Sequence, residues 1–200
     1  MDINAITALV RRKAGKRKRF IIGIAGPPGS GKSTLAEQLR EALGANAVVV
    51  PMDGFHFDDV ILNARGDLAR KGAPHTFDVA GFEHLLKRIK SREDDIAIPV
   101  FDRKMELARA GASLISADTK FIVVEGNYLL LKLKPWNRLK RLFDVTVFLK
   151  VPAAELERRL LARWRGLGFD EEAAKEKALG NDIPNAKLVK ANSAKADVTF

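Results

Sequence analysis

Phe20-Ile21-Ile22-Gly23-Ile24-Ala25 runs directly into Gly26-Pro27-Pro28-Gly29-Ser30-Gly31-Lys32-Ser33-Thr34, and Leu35-Ala36-Glu37-Gln38-Leu39-Arg40-Glu41-Ala42-Leu43 follows. The first six residues are apolar without alternation, which fits a strand covered on both faces, as in a parallel sheet flanked by helices. Residues 33–43 place apolar side chains at helical spacing, and Gly44 is positioned to stop that helix. The nine residues between them match GxxxxGK[ST] in its required context of strand before and helix after. Glycines let the backbone curl around a polyphosphate with its N–H groups inward, and the helix N-terminus adds its positive dipole end. Gly26, Pro27, Pro28, Gly29, Ser30, Gly31, Lys32, Ser33 and Thr34 are therefore the expected nucleotide-binding residues. Lys32 is placed to reach the β and γ phosphates and Ser33 to ligate Mg²⁺.

Outward from this loop, apolar runs alternate with helical stretches, the pattern of an α/β domain with a mostly parallel sheet. The strands expected are Phe20–Ala25, Ala47–Val50, Ile96–Phe101, Phe121–Glu125, Val145–Lys150 and Asp197–Phe200, with helices over 33–43, Val79–Lys90 and Ala153–Arg165. No repeat, low-complexity tract or interdomain linker interrupts the series, so residues 1–200 read as one domain. A chain of 200 residues, 46% of them hydrophobic, can bury roughly 70% of its unfolded surface, enough for one core. The absence of cysteine removes disulfides, thiolate metal sites and cysteine nucleophiles from consideration. No apolar run approaches the roughly 20 residues of a membrane span, and a cytoplasmic protein with no membrane partner is expected.

The net charge of +10 is uneven, because residues 1–20 carry +6 and the rest of the chain only +4. Residues 1–19 read as a helix ending in a solvated basic arm, Arg11 to Arg19, whose removal through residue 17 should spare catalysis. Nucleic acid is not the expected partner of so mildly basic a body.

Four further segments bear on chemistry. Ala47-Val48-Val49-Val50-Pro51 delivers Met52-Asp53-Gly54-Phe55-His56-Phe57 at the end of a strand, where an open α/β sheet places its ligand crevice. Asp53 is thus positioned as a general base for an attacking hydroxyl, although Asp-Gly is also a common turn dipeptide. Asp102, at another strand end, is the reserve base. Phe121-Ile122-Val123-Val124-Glu125 is an apolar strand ending in an acid, the form of a Walker B element, so Glu125 joins Ser33 as an expected Mg²⁺ ligand. In Ala154–Arg165, Leu156, Leu160 and Trp164 make one apolar stripe at about 100° per residue, flanked by Arg159 and Arg163.

The combination GPPGSGKST, PMDGFHFDD, RKGAPHTFD, PVFDRK and VVEGNYLLL resembles the P-loop kinases that include uridine kinase, phosphoribulokinase and bacterial pantothenate kinase. Within them it is most similar to the bacterial fructose transport system kinase, or fructokinase-like, branch. The resemblance implies a three-layer, nucleoside-monophosphate-kinase-like fold with a small helical lid at about 153–181. It also implies ATP as donor, Mg²⁺ as cofactor, Asp53 as base, and Arg159 and Arg163 closing over the transferred phosphate. His56, His75, Asp102 and Arg103 fall in segments that meet the acceptor in such kinases. The expected function is transfer of phosphate from ATP to a hydroxyl of a small molecule, a sugar first. A uridine- or pantothenate-type acceptor is the alternative, and a nucleotide-dependent switch or nucleic-acid-associated ATPase is the rival of another class. A homodimer is compatible with this reading.

Overall fold

The computed structural model describes residues 2–200. Five strands form a parallel sheet: β1 (Phe20–Ala25), β2 (Ala47–Pro51), β5 (Phe121–Gly126), β6 (Val145–Phe148) and β7 (Val198–Thr199), in the order β2-β5-β1-β6-β7. Alternate side chains of β1 feed the two faces, as strand geometry requires. Phe20, Ile22 and Ile24 pack under α1 (Ile3–Ala14) and α2 (Lys32–Leu43). Ile21 and Ala25 point to the other side, toward α4 (Val79–Ser91) and the apolar segment Tyr128–Leu131. The result is the expected three-layer α/β architecture.

Outside the sheet, β3 (Ile96–Asp102) and β4 (Leu107–Ile115) pair only with each other, as an antiparallel hairpin. The expected sheet strand at 96–101 is therefore a hairpin arm. Its register slips between Ile98 and Val100, on either side of Pro99, which lacks the N–H that a ladder needs. Only Ile96, Ile98 and Ile115 of the hairpin are buried in the core. The mostly exposed β4 has too little apolar alternation to announce itself in the sequence. The last strands are shorter than expected, β6 stopping at Phe148 and β7 spanning two residues.

The reading of residues 1–19 as a helix with a solvated basic end needs correction in two places. Helix α1 is capped by Asp2, whose carboxylate accepts the Ala5 N–H at 2.9 Å, and it buries Ile6, Val10 and Ala14. Arg19 is also buried, its guanidinium donating to the carbonyls of Glu93, Ser116, Ala117 and Thr119. Arg11 to Lys18, apart from Ala14, do stay exposed. Removing residues 1–17 would strip Ile6, Val10 and Ala14 from the core face that α1 shares with α2, as well as the charge.

A short helix, α3 (Asp59–Arg65), follows β2. Beyond β6 lie α5 (Ala153–Gly166), α6 (Glu171–Lys175), a π-helical stretch Glu176–Asp182 and α7 (Ile183–Asn192). Leu156 and Leu160 of α5 pack on Ala178 and Ala186 in a small apolar cluster separate from the two sheet faces.

Candidate active site

Strand register assembles the site. In the parallel ladders Ala25 lies beside Gly126, and Pro51 beside Glu125, so three carboxyl ends converge at one edge. The P-loop leaves the first, Asp53 follows the second, and Glu125 ends the third. Two glycines permit this convergence. A Cβ on Gly126 would sit 2.5 Å from Met52 Cβ, and one on Gly54 would overlap the Pro99 carbonyl. The glycine after each acid is thus required by a neighbouring chain pressed against it, and Asp53-Gly54 also lies in a 3₁₀ turn, Met52–Phe55, closed by the His56 N–H donating to the Asp53 carbonyl at 3.2 Å.

These strand ends open into a cavity of about 720 Å³. At one end lie the P-loop and Lys32, which is buried and donates from Nζ to the Pro27 carbonyl at 3.1 Å. Gly29 and Gly31 hold positive φ (76° and 90°), a left-handed conformation that side chains disfavour. Gly31 also caps α2, so that helix's free N–H groups face the cavity. Burial pushes the Lys32 ammonium below its usual value, against the pull of Glu125 and Asp53.

Ser33 Oγ donates to Glu125 Oε1 at 3.2 Å. Glu125 is buried, and burial together with the neighbouring Asp53 pushes its carboxyl above the usual range, with Lys32 and Ser33 pulling the other way. A hydroxyl and a buried carboxylate beside a second carboxylate form a hard oxygen donor set. It fits Mg²⁺, which takes one or two carboxylates and completes its shell with water and phosphate.

Asp53 stands opposite, at 23% side-chain exposure, with Arg103 donating to its Oδ2 at 2.6 Å. Burial would raise its carboxyl, but His56, Arg103, Lys32 and Arg163 together outweigh that and hold it below the ordinary value. His56 is itself held low by burial, so near neutral pH the permanent charges of Arg103, Lys32 and Arg163 carry the effect. The His56 ring lies between Phe77 and Phe101, at 4.0 and 4.8 Å, and its Nδ1 is 2.8 Å from the Asp53 carbonyl.

The cavity brings Lys32, Ser33, Thr34, Asp53, His56, Arg103, Glu125 and Arg163 together. Three of the residues expected from outside the P-loop are not on its wall. His75, half exposed, faces Asp67 at 3.3 Å. Asp102 binds the backbone N–H groups of Lys104 and Met105 and lies 3.5 Å from Arg109, so its carboxylate builds the β3–β4 turn. Arg159 pairs with Glu155 at 2.6 Å and reaches only the Gly29 carbonyl, at 3.4 Å. Conversely, the sequence reading missed Lys71, Asn127, Asn181 and Asp182, all of which line the cavity. Lys71 was within reach, because it lies in the RKGAPHTFD segment that carries the resemblance. Asp182 was not, because Asp-Ile-Pro reads as an ordinary helix start.

A parallel three-layer sheet with a P-loop at the end of β1 and carboxylates at the ends of β5 and β2 defines a P-loop nucleotide-binding protein. The family model described as an AAA domain matches residues 22–172. A Schizosaccharomyces pombe protein named as a putative uridine kinase is 34% identical, aligning 92% of this chain with 83% of its own. Pantothenate kinase from Enterococcus faecalis is 30% identical over 74% of this chain, which spans 50% of that enzyme's length. Among solved structures, a putative fructose transport system kinase from Silicibacter sp. TM1040 superposes with a TM-score of 0.95 at 41% identity, covering 100% of this chain and 99% of that one. The chain belongs to the P-loop kinases of the uridine kinase and pantothenate kinase type, and it is an ATP-dependent phosphotransferase.

Proposed function

We propose that the chain transfers the γ-phosphoryl group of ATP to a hydroxyl of a neutral sugar or sugar-like polyol, fructose being the first to test. The observation that carries the reading is Asp53, a half-buried carboxylate facing the same cavity as Lys32 and the Ser33–Glu125 pair. In the reaction the acceptor oxygen forms a bond to the γ phosphorus, the bond to the ADP oxygen breaks, and the hydroxyl proton passes to Asp53. Arg103 is bonded to Asp53 Oδ2, which leaves Oδ1 to accept the acceptor hydroxyl and its proton. Lys32 and Arg163 supply fixed positive charge at the transferred phosphate, and P-loop N–H groups hold the donor. With so little covalent chemistry, positioning and electrostatics supply most of the acceleration. Ser33 and Glu125 would hold Mg²⁺, which when bound neutralises phosphate charge. Residues 153–181 act as the lid.

For the acceptor, support comes from the putative fructose transport system kinase at 41% identity, against 34% for the putative uridine kinase and 30% for the pantothenate kinase. ADP release with fructose, uridine and pantothenate at equal ATP tests it. Fructose is expected to lead in kcat/KM, and a tenfold lead by either other acceptor overturns the sugar assignment.

A further inference from the structure

The acceptor end of the cavity contains a carboxylate that phosphoryl transfer does not use. Asp182 ends the π-helical stretch and lines the cavity beside Asn181 and Lys177. Its Oδ2 accepts the indole N–H of Trp164 at 2.7 Å. Among the described residues no cation lies within 4.0 Å of it, and no other side chain donates to it. Arg163, Arg103 and Lys177 act on it only through space, and burial pushes its carboxyl above the usual range despite the Trp164 bond. A carboxylate so placed is costly until a donor completes it.

Its position is fixed from both sides. Trp164 ties it to α5, while Asn181 Nδ2 donates to the Lys71 carbonyl at 2.7 Å and Arg70 to the Gly180 carbonyl at 2.9 Å. Irregular helical turns of this kind often occur at functional sites. The surrounding charge also discriminates. Lys71, which could have met an anionic acceptor, is already held by Asp59 at 2.7 Å and by the Glu106 carbonyl at 2.6 Å. Arg103 is bonded to Asp53, and Arg163 acts through space on both Asp53 and Asp182. Lys71 in turn neutralises Asp59, so at this end of the cavity Asp182 is the carboxylate with no cation within 4.0 Å among the described residues, and a carboxylate on the acceptor would face it.

We infer that Asp182 is a specificity-determining residue whose Oδ1 accepts a hydrogen bond from a second hydroxyl of the acceptor, selecting neutral polyols over acceptors that carry a carboxylate. This rests on the hydroxyl-kinase reading above but not on fructose itself. The Trp164 ring beside the carboxylate offers an apolar surface to the acceptor's carbons. A site built to bind a hydroxyl discriminates strongly because its own polar group is otherwise left unpaired.

The test is ADP release with matched neutral and acidic acceptors: glucose and gluconate, glycerol and glycerate, pantothenol and pantothenate, with fructose added. Wild type is expected to favour the neutral member of the best-used pair at least about tenfold in kcat/KM. Asp182→Asn is expected to raise KM for the neutral acceptor about 10- to 100-fold, with kcat and the KM for ATP within a few-fold, and to narrow the neutral-over-acid preference. Trp164→Phe, which keeps the Asp182 carboxylate but removes one of its two ties, should change acceptor KM less. A preference for the acidic member in wild type overturns the inference, and that measurement needs no variant to fold. So does a panel in which no acceptor raises ADP release, or an Asp182→Asn protein whose kcat and ATP KM worsen together at unchanged preference. Another neutral polyol outpacing fructose would refute the fructose assignment and support Asp182.

Discussion

The nucleotide end of the cavity takes its P-loop from nine consecutive residues, Gly26 to Thr34, held between one strand and one helix. The acceptor end draws Asp53, Lys71, Arg103 and Asp182 from four separate segments, joined by contacts such as Asn181 to the Lys71 carbonyl and Arg103 to Asp53. A phosphate site can be local because backbone N–H groups do most of the binding and any chain with the right glycines supplies them. An acceptor site must match one molecule's hydroxyls and therefore needs side chains from wherever the fold can deliver them. The first arrangement is shared across many chemistries, whereas the second sets which chemistry occurs.

The two ends should respond differently to single substitutions, and the nucleotide end should show the largest effect. Lys32→Ala removes the one buried cation of the P-loop and is expected to cost on the order of 10²–10³ in kcat, as loss of a preorganised charge-stabilising donor does. The loss should be similar with every acceptor tested. The protein should still fold, since among the described residues Lys32 Nζ donates only to the Pro27 carbonyl, and circular dichroism would check that. An acceptor-dependent loss would break the division between the two ends.

At the junction, Asp53→Asn is expected to lower kcat about 100-fold, the usual range for a positioned general base. ATP affinity should be nearly unchanged. The same change removes the partner of Arg103, so the effect should be larger on kcat than on KM. A near-normal rate would make Asp53 a structural anchor for Arg103 and leave the base unassigned, because Asp102 is committed to the β3–β4 turn.

The same asymmetry governs how much of the molecule is legible in its sequence. The strand, loop and helix from Phe20 to Leu43 depend on short-range rules, and they appear where the pattern puts them. Asp53 and Glu125 are legible because one follows and the other closes an apolar strand. The glycine after each is not interpretable from sequence, since it is the approach of Met52 and of Pro99 that demands it. The hairpin β3–β4 is half legible: Ile96 and Ile98 mark one arm, but nothing in Leu107–Ile115 shows that it pairs back on the other. The basic run at Arg11 to Arg19 misleads for a related reason. Six of its basic residues are solvated, and only tertiary structure reveals that Arg19 instead satisfies four backbone carbonyls between Glu93 and Thr119. Asp182 is illegible because its significance lies in a hydrogen bond to Trp164, eighteen positions earlier.

The smallest effect is expected from an arginine that the sequence places beside the phosphates. Arg159 and Arg163 lie one helical turn apart on α5, and periodicity alone gives them equal claims. The structure separates them. Arg163 lines the cavity, whereas Arg159 is tied to Glu155 at 2.6 Å, and that carboxyl is held down to about 2 by its hydrogen bonds with Arg158 and Arg159. An exposed pair of this kind contributes little, so Arg159→Ala should change kcat less than about fivefold. Arg163→Ala should cost tens of fold or more, about the loss of a charge-stabilising group at the transferred phosphate. Steady-state kinetics of the two variants at saturating ATP decides the matter. If Arg159→Ala proves as damaging as Arg163→Ala, then α5 swings during turnover to bring Arg159 off Glu155 and onto the nucleotide. The boundary between the two ends would then move with the lid instead of being fixed by the strand ends.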